Sequence, residues 1–309
     1  MKKAVDENEF KINLENPFSL EKTLISDQCP ADLWFFDDSN HKWISYIPVE
    51  NQWTKVMLSQ EGNSLLVAYA PKIGNIENIR KYLSYQLSLD YDITGLASFF
   101  RSDNYISTIL EYCKDLRLMK DLNIEYRIIE AIITQNTSVR MIKTMQKLLF
   151  FHYGDQVQVD GEIIYTYPSI ERIANESTAV LMTKCKVGYR AEYLKIITQA
   201  LLSKKTIKYL EKLNTQDAKS YLMEFKGIGR KVSDLILMYG LKKEDVFPLD
   251  VWVKRAVKRE YFNNRDVGDE DIYKFSKEYF NSFASIINLM IFTYERNEKS
   301  QYFNYCVWK

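Results

Sequence analysis

The residues of this chain whose types and spacing suit chemistry lie between Gly227 and Asp250. The stretch "GIGRKVSDLI" sets Gly227 and Gly229 two apart, follows them with Arg230-Lys231, and then turns apolar. Glycine tolerates positive φ and lets a backbone approach its neighbour closely, so this is a tight turn delivering a lysine onto the first turn of a half-buried helix. Three roles are open to that lysine: ordinary helix surface, a phosphate clamp, or a nucleophile. Further on, "FPLDVWVKRAV" places Asp250 where an N-cap belongs, ahead of an apolar-basic helix. Capping alone accounts for that aspartate. A carboxylate at one helix start and an amine at another also suit a reaction that develops positive charge.

The elements around the turn follow from the pattern. "TQDAKSYLMEF" has Thr215 as an N-cap and apolar positions at Tyr221, Leu222 and Phe225, which describes a helix ending before Lys226. "KVSDLILMYGL" opens the next helix, so residues 215–240 form a helix-hairpin-helix. Backbone N–H groups at the start of its second helix attract a phosphate. A plain αα-hairpin would use the same glycine turn.

Ahead of the hairpin the chain changes character. "DLWFFDD-SN-HKWISYIP" and "QWTKVMLSQ-EGN-SLLVAYA" alternate as two strand pairs, with turns at Ser39-Asn40 and at Glu61-Gly62-Asn63. From about Asn75 apolar residues recur three and four apart, the helical spacing. A polar, β-prone insertion, "HYGDQVQVDGEIIYTYP", interrupts the helices, and "YPSIERIANES" starts the next one, with Pro168 at or just before its first turn. The expected class is α+β, with an antiparallel-sheet domain over 1–95 and an all-helical domain over 96–309.

Charge narrows the partner. The 309 residues carry a formal charge of only +1, yet residues 1–80 hold 8 Lys/Arg against 12 Asp/Glu and residues 181–260 hold 18 against 9. One strongly basic quarter fits a polyanion bound on one face; solvated helix faces are the plainer alternative. The amino terminus has no apolar signal core and no segment approaches a membrane span. Cys29, Cys113, Cys185 and Cys306 stand far apart, so reduced thiols in a cytoplasmic protein are expected rather than a metal site, an iron–sulfur cluster or a redox motif. His41 and His152 have no cysteine partner in the sequence, which leaves them surface or packing roles.

"FKGIGRKVSDLILMYGL" followed by "VFPLDVWVKRAV" resembles the helix-hairpin-helix, loop and aspartate signature of base-excision DNA glycosylases, and within them the 8-oxoguanine DNA glycosylase/AP lyase branch. The likeness extends through "NPFSLEKTLISDQ", "YRIIEAIITQNTSVRMIKTMQKL", "YPSIERIA" and "CKVGYRAEYL" to a looser match at "NSFASIINLMIFTYER". It implies a monomer acting without cofactor or metal on double-stranded DNA that contains a damaged base. Lys231 is then the nucleophile that forms a Schiff base and permits β-elimination, and Asp250 the essential carboxylate. The resemblance implies a pocket at the helix start, where Arg230 and the positive helix end would favour the neutral amine. Gly227, Gly229 and Arg230 meet phosphate. Tyr189 intercalates beside the estranged base, Arg190 hydrogen-bonds it, and Asn136 plugs the gap left by the extruded nucleotide.

Several positions depart from the family pattern. Met141 stands where many relatives carry an arginine for the opposite cytosine, and neighbouring Arg140 is turned about 100° away on a helix. In the base pocket, Asn288 replaces a longer glutamine, Phe292 supplies the stacking ring, and Leu235 stands at a cysteine position. Asp27 falls where the family has a glycine that senses the oxidised purine. Asp234, three residues after Lys231, is expected to face solvent or a basic neighbour. These departures leave two alternatives beside an 8-oxoguanine enzyme: a glycosylase for an alkylated base, and a helix-hairpin-helix protein that binds DNA without chemistry. The presence of both Lys231 and Asp250 argues against the last.

Overall fold

Alternating apolar residues between Lys42 and Ala70 form antiparallel strands in the computed structural model, which describes residues 8–28, 33–203 and 205–299. Strands β1 (Asn8–Asn13), β2 (Phe35–Asp37), β3 (Lys42–Val49), β4 (Gln52–Glu61) and β5 (Ser64–Ala70) make one sheet in the order β1-β5-β4-β3-β2. Both expected hairpins are present, and Gly62 takes φ +53° in the β4–β5 turn. Pairing of β1 with β5, from Asn8↔Tyr69 to Asn13↔Ser64, was not expected from the sequence pattern.

Helix α1 (Leu20–Leu24) lies between β1 and β2 in sequence, α2 (Ile76–Gln86) comes after β5, and α3 (Thr94–Phe99) and α4 (Asn104–Tyr112) follow. Next come α5 (Ile124–Ile133), α6 (Val139–Tyr153), the hairpin of β6 (Gln156–Val159) and β7 (Glu162–Tyr165), then α7 (Ile170–Asn175), α8 (Thr178–Cys185) and α9 (Arg190–Leu201). The chain continues through α10 (Lys205–Lys212), α11 (Thr215–Met223), α12 (Arg230–Gly240), α13 (Val251–Tyr261), α14 (Asp269–Tyr279) and α15 (Ala284–Lys299). An antiparallel sheet followed by helices is the α+β class expected.

The division into compact units is drawn elsewhere than at residue 95. Unit 1 joins the described residues up to Lys120 with Val159–Gly161 and with the chain from Leu249 onward; unit 2 is Asp121–Gln158 with Glu162–Pro248. Within unit 1, Val56, Leu58, Leu65 and Val67 from one sheet face form a core with Trp34 and with Ile79 and Leu83, one turn apart on α2. The opposite face gathers Ile44, Met57 and Ala68 with Phe35 and Tyr46. Gln28 ties this part to the segment before α5: its carboxamide accepts from Met119 N–H at 2.7 Å and donates to the Arg117 carbonyl at 3.0 Å. Such long-range backbone bonds explain why residues beyond 95 belong with the sheet. At the other end of the same unit, Asp103 caps α4 and accepts from the hydroxyls of Tyr261 (2.7 Å) and Tyr279 (2.9 Å).

Unit 2 is built on α5, whose residues Tyr126–Ile133 are all buried. A helix buried on every side needs its charges neutralised inside, and Arg127 meets both Asp121 and Glu130 there. Glu130 also accepts from Gln146 of α6. Cys113 in unit 1 and Cys185 in unit 2 are buried free thiols, each pushed up to about 12 by burial; Cys29 and Cys306 lie outside the described residues.

Candidate nucleic-acid interface and active site

The hairpin forms as expected, with one shift. Asn214, not Thr215, caps α11: its Oδ1 accepts from Asp217 N–H at 2.9 Å. Thr215 becomes the first helical residue, and its hydroxyl donates to Asp245 at 2.6 Å. A threonine with an acidic partner in reach is satisfied off the cap, and an asparagine one residue earlier serves as well.

Between the two helices Gly227 holds φ +92°, and a Cβ built there would lie 2.2 Å from the Tyr193 ring of α9. Only glycine fits, because the aromatic ring is laid directly against the backbone. Gly229 is the N-cap of α12 and is exposed, with no side-chain cap bond. The first turn of α12 therefore keeps its positive end without a capping side chain, the arrangement that favours an anion.

Lys231 stands on that turn and is exposed. The residues that follow it, Val232 to Asp234, are buried. On the α11 side of the hairpin lies a polar depression of about 330 Å³, lined by Gln216, Lys219, Ser220, Met223, Glu224 and Arg230.

Of the two placements expected of Asp234, solvent or a basic neighbour, the structure takes the second. Its side chain is 0% exposed, and Lys219 of α11 reaches one carboxylate oxygen at 2.6 Å. The contact is an ion pair rather than a well-directed hydrogen bond, since neither oxygen has a hydrogen-bond partner in good geometry. Burial pushes the carboxyl up, against the pull of Lys219 and Arg230, to about 6.

The second cluster of unit 2 gathers Asn136, Tyr189 and Arg190. Asn136 is exposed with φ +43°, and its amide donates to the Tyr189 hydroxyl at 3.4 Å. Tyr189 precedes α9 and is 48% exposed, as a wedge has to be. Arg190 is 7% exposed, and its guanidinium donates to the carbonyls of Gln135, Asn136 and Val187. A guanidinium committed to three backbone carbonyls holds the Asn136 loop and supports the Tyr189 ring, whose centroid is 4.6 Å away. Met141 is exposed on α6.

Unit 1 carries the remaining residues. Asp250 is half-buried and caps α13, accepting from Val253 N–H at 2.8 Å, as expected. Asn288 is buried and Phe292 half-buried one turn apart on α15. Leu235, half-buried, belongs to α12 of unit 2. Arg296 escaped the sequence reading: it lies one turn beyond Phe292, stacks its guanidinium 5.7 Å from that ring, and pairs with Asp27. Only a fold that brings the N-terminal segment against the last helix reveals that pair. Among the described residues no cluster of His, Cys, Asp and Glu is arranged to hold a metal.

A five-stranded antiparallel sheet together with helices that include a glycine-turned hairpin defines an α+β protein of the helix-hairpin-helix class. Residues 129–282 match the HhH-GPD superfamily of base excision DNA repair proteins, and the chain belongs to that superfamily. A probable N-glycosylase/DNA lyase of Methanothermobacter thermautotrophicus is 27% identical over 71% of this chain and 76% of its own length. The 8-oxoguanine glycosylase/lyase of Clostridium acetobutylicum, solved with duplex DNA containing cytosine opposite the lesion, superposes with TM-score 0.80 at 22% identity, over 92% and 94% of the two chains. A 3-methyladenine DNA glycosylase from Archaeoglobus fulgidus superposes with TM-score 0.78 at 25% identity, over 93% and 98%.

Proposed function

We propose that this protein is a bifunctional base-excision-repair enzyme that removes an oxidised purine, 8-oxoguanine, from duplex DNA and cleaves the strand at the resulting abasic site. The observation that carries the reading is Lys231, an exposed amine on the first turn of the second hairpin helix, where the glycine turn leaves the helix end open to a phosphate. The probable N-glycosylase/DNA lyase relative supports the same activity.

The roles follow from the chemistry. The neutral Lys231 amine attacks the sugar C1′ while the C1′–N bond to the base breaks, and the base leaves with a proton. Ring opening gives an imine between Nζ and C1′. Loss of a C2′ proton then expels the 3′ phosphate by β-elimination. Because the chain itself leaves Lys231 open to water, bound DNA has to exclude that water. Asp250 supplies the carboxylate that opposes positive charge on the sugar, and it remains the cap of α13 meanwhile. Gly227, Gly229 and Arg230 hold the backbone phosphate. Tyr189 enters the stack with Asn136 beside it, and Arg190 is the strut beneath both. Phe292 stacks on the extruded base, with Asn288 one turn earlier on α15 meeting its edge, and Leu235 of α12 is a further base contact. The protein works as a monomer on cytoplasmic or nucleoid DNA; no described helix is long and apolar enough to cross a membrane.

A trapping experiment tests this. Borohydride reduces the imine to a stable amine, so the wild type incubated with an 8-oxoguanine duplex or an abasic duplex yields a covalent adduct on a denaturing gel. Lys231→Gln yields none. Absence of any adduct removes the lyase and leaves a DNA-binding protein. An adduct with the abasic duplex alone keeps the lyase and transfers the substrate to another lesion, an alkylated base being favoured by the likeness to the 3-methyladenine enzyme.

A further inference from the structure

Tyr193 is half-buried on the first turn of α9, four residues after Tyr189 and so on the same face of the helix. Its ring meets the Tyr189 ring edge-on, with centroids 5.7 Å apart and planes at 77°. The base of the same ring occupies the space that a side chain at Gly227 would need, its Cγ and both Cδ atoms being the nearest atoms to a Cβ built there. One aromatic ring therefore touches both the wedge and the backbone of the hairpin turn. A second link joins the same two elements, because Lys226 pairs with Glu192 at 2.8 Å. That pair is 62% and 56% exposed, so water and salt screen it and little coupling passes through it. The packed ring is not screened.

We propose that Tyr193 is a positioning residue that makes entry of the Tyr189 wedge and the hairpin's hold on a backbone phosphate a single event. This rests on the reading above that Tyr189 enters the stack and that Gly227, Gly229 and Arg230 meet phosphate. A close-packed contact passes on a displacement because it has no free space to absorb one. Base pairs that resist the wedge push Tyr189 against Tyr193, and Tyr193 in turn displaces the Gly227 turn. A phosphate held at that turn fixes Tyr193 and stiffens the wedge. Ordering either contact with DNA thus orders the other, which is positive coupling between two sites on one rigid element. At a sound base pair the wedge is refused and the hairpin grips loosely; at a weakened pair both engage together.

The test is binding without chemistry: titration of a duplex that carries tetrahydrofuran, an abasic analogue the enzyme cannot cleave. Tyr189→Ala and Arg230→Ala are combined in a double-mutant cycle. With Tyr193 in place, the double variant binds roughly twofold to tenfold tighter than the product of the two single losses, the worth of one edge-to-face ring contact. In the Tyr193→Leu background the losses multiply to within about twofold, and Tyr193→Phe, which keeps the ring, retains the coupling. Raising the salt weakens every affinity and leaves the coupling ratio unchanged. Losses that multiply in the wild-type background overturn the inference, and that arm decides even if Tyr193→Leu does not fold. Coupling that survives Tyr193→Leu, or that vanishes in Tyr193→Phe or at high salt, overturns it too. Single variants that both bind like wild type overturn the wedge and the phosphate grip of the proposed function, and this inference with them. The lyase can fail its trapping experiment while the cycle still shows coupling, so the two readings fail separately.

Discussion

Replacing Asp234 with asparagine should make the protein more stable at pH 7.5, although it breaks an ion pair. The carboxyl is fully buried, and burial outweighs the Lys219 ammonium to set it near 6 rather than the ordinary 3.8. An acid whose proton is held more tightly in the folded chain loses stability as pH rises. The unfolded carboxyl releases its proton near 3.8 and the folded one only near 6, so the loss accumulates between about pH 4 and 6 and is complete above. At about 1.36 kcal/mol per pH unit that interval corresponds to roughly 3 kcal/mol, a figure that already contains the attraction of Lys219. Asparagine has nearly the same shape and no charge to bury. Urea unfolding of Asp234→Asn should therefore show a gain of roughly 2–3 kcal/mol over wild type at pH 7.5 and almost none at pH 4. A variant less stable than wild type at pH 7.5 would mean that the Lys219 contact outweighs desolvation, and the reasoning would be wrong in sign.

The remaining expectations concern the hairpin, the cap and the wedge. Gly227→Ala forces a Cβ into the Tyr193 ring at φ +92° and should cost about 1–3 kcal/mol, read by thermal unfolding, while weakening DNA binding in a gel-shift titration. Asp250→Asn keeps a good cap and should hold stability within about 0.5 kcal/mol of wild type, whereas Asp250→Ala loses about 1 kcal/mol; both should abolish base excision. Tyr189→Ala removes a half-exposed side chain and should change stability by less than about 0.5 kcal/mol, yet lower excision from duplex far more than from single-stranded DNA.

The local features were legible because short-range rules govern them. Glycine spacing announced the hairpin, Asp250 its helix start, and alternation the strands β2 to β5. The Asn214 cap was missed because two neighbouring polar residues qualified, and only the position of Asp245 decided between them. The depth at which Arg190 and Asp234 lie had no signal in the sequence, because a charged residue at an ordinary helix position gives no hint that carbonyls from another loop, or an ammonium from the next helix, will enclose it. Asp27 and Arg296 are separated by most of the chain, so their pairing has no sequence signal at all.

Unit 1 is assembled from both ends of the polypeptide, with unit 2 threaded in as an insertion. As the chain leaves the ribosome, the hairpin-bearing segment is complete while unit 1 still lacks α13, α14 and α15. The sheet by then has its cover from α2, but α4 must wait with Asp103 and Tyr105 parted from Tyr261, Tyr279 and Glu295. A premature stop after Pro248 would spare every residue of the hairpin and of the sheet core and still deny α4 its partners, which makes nascent α4 the place for a chaperone to act.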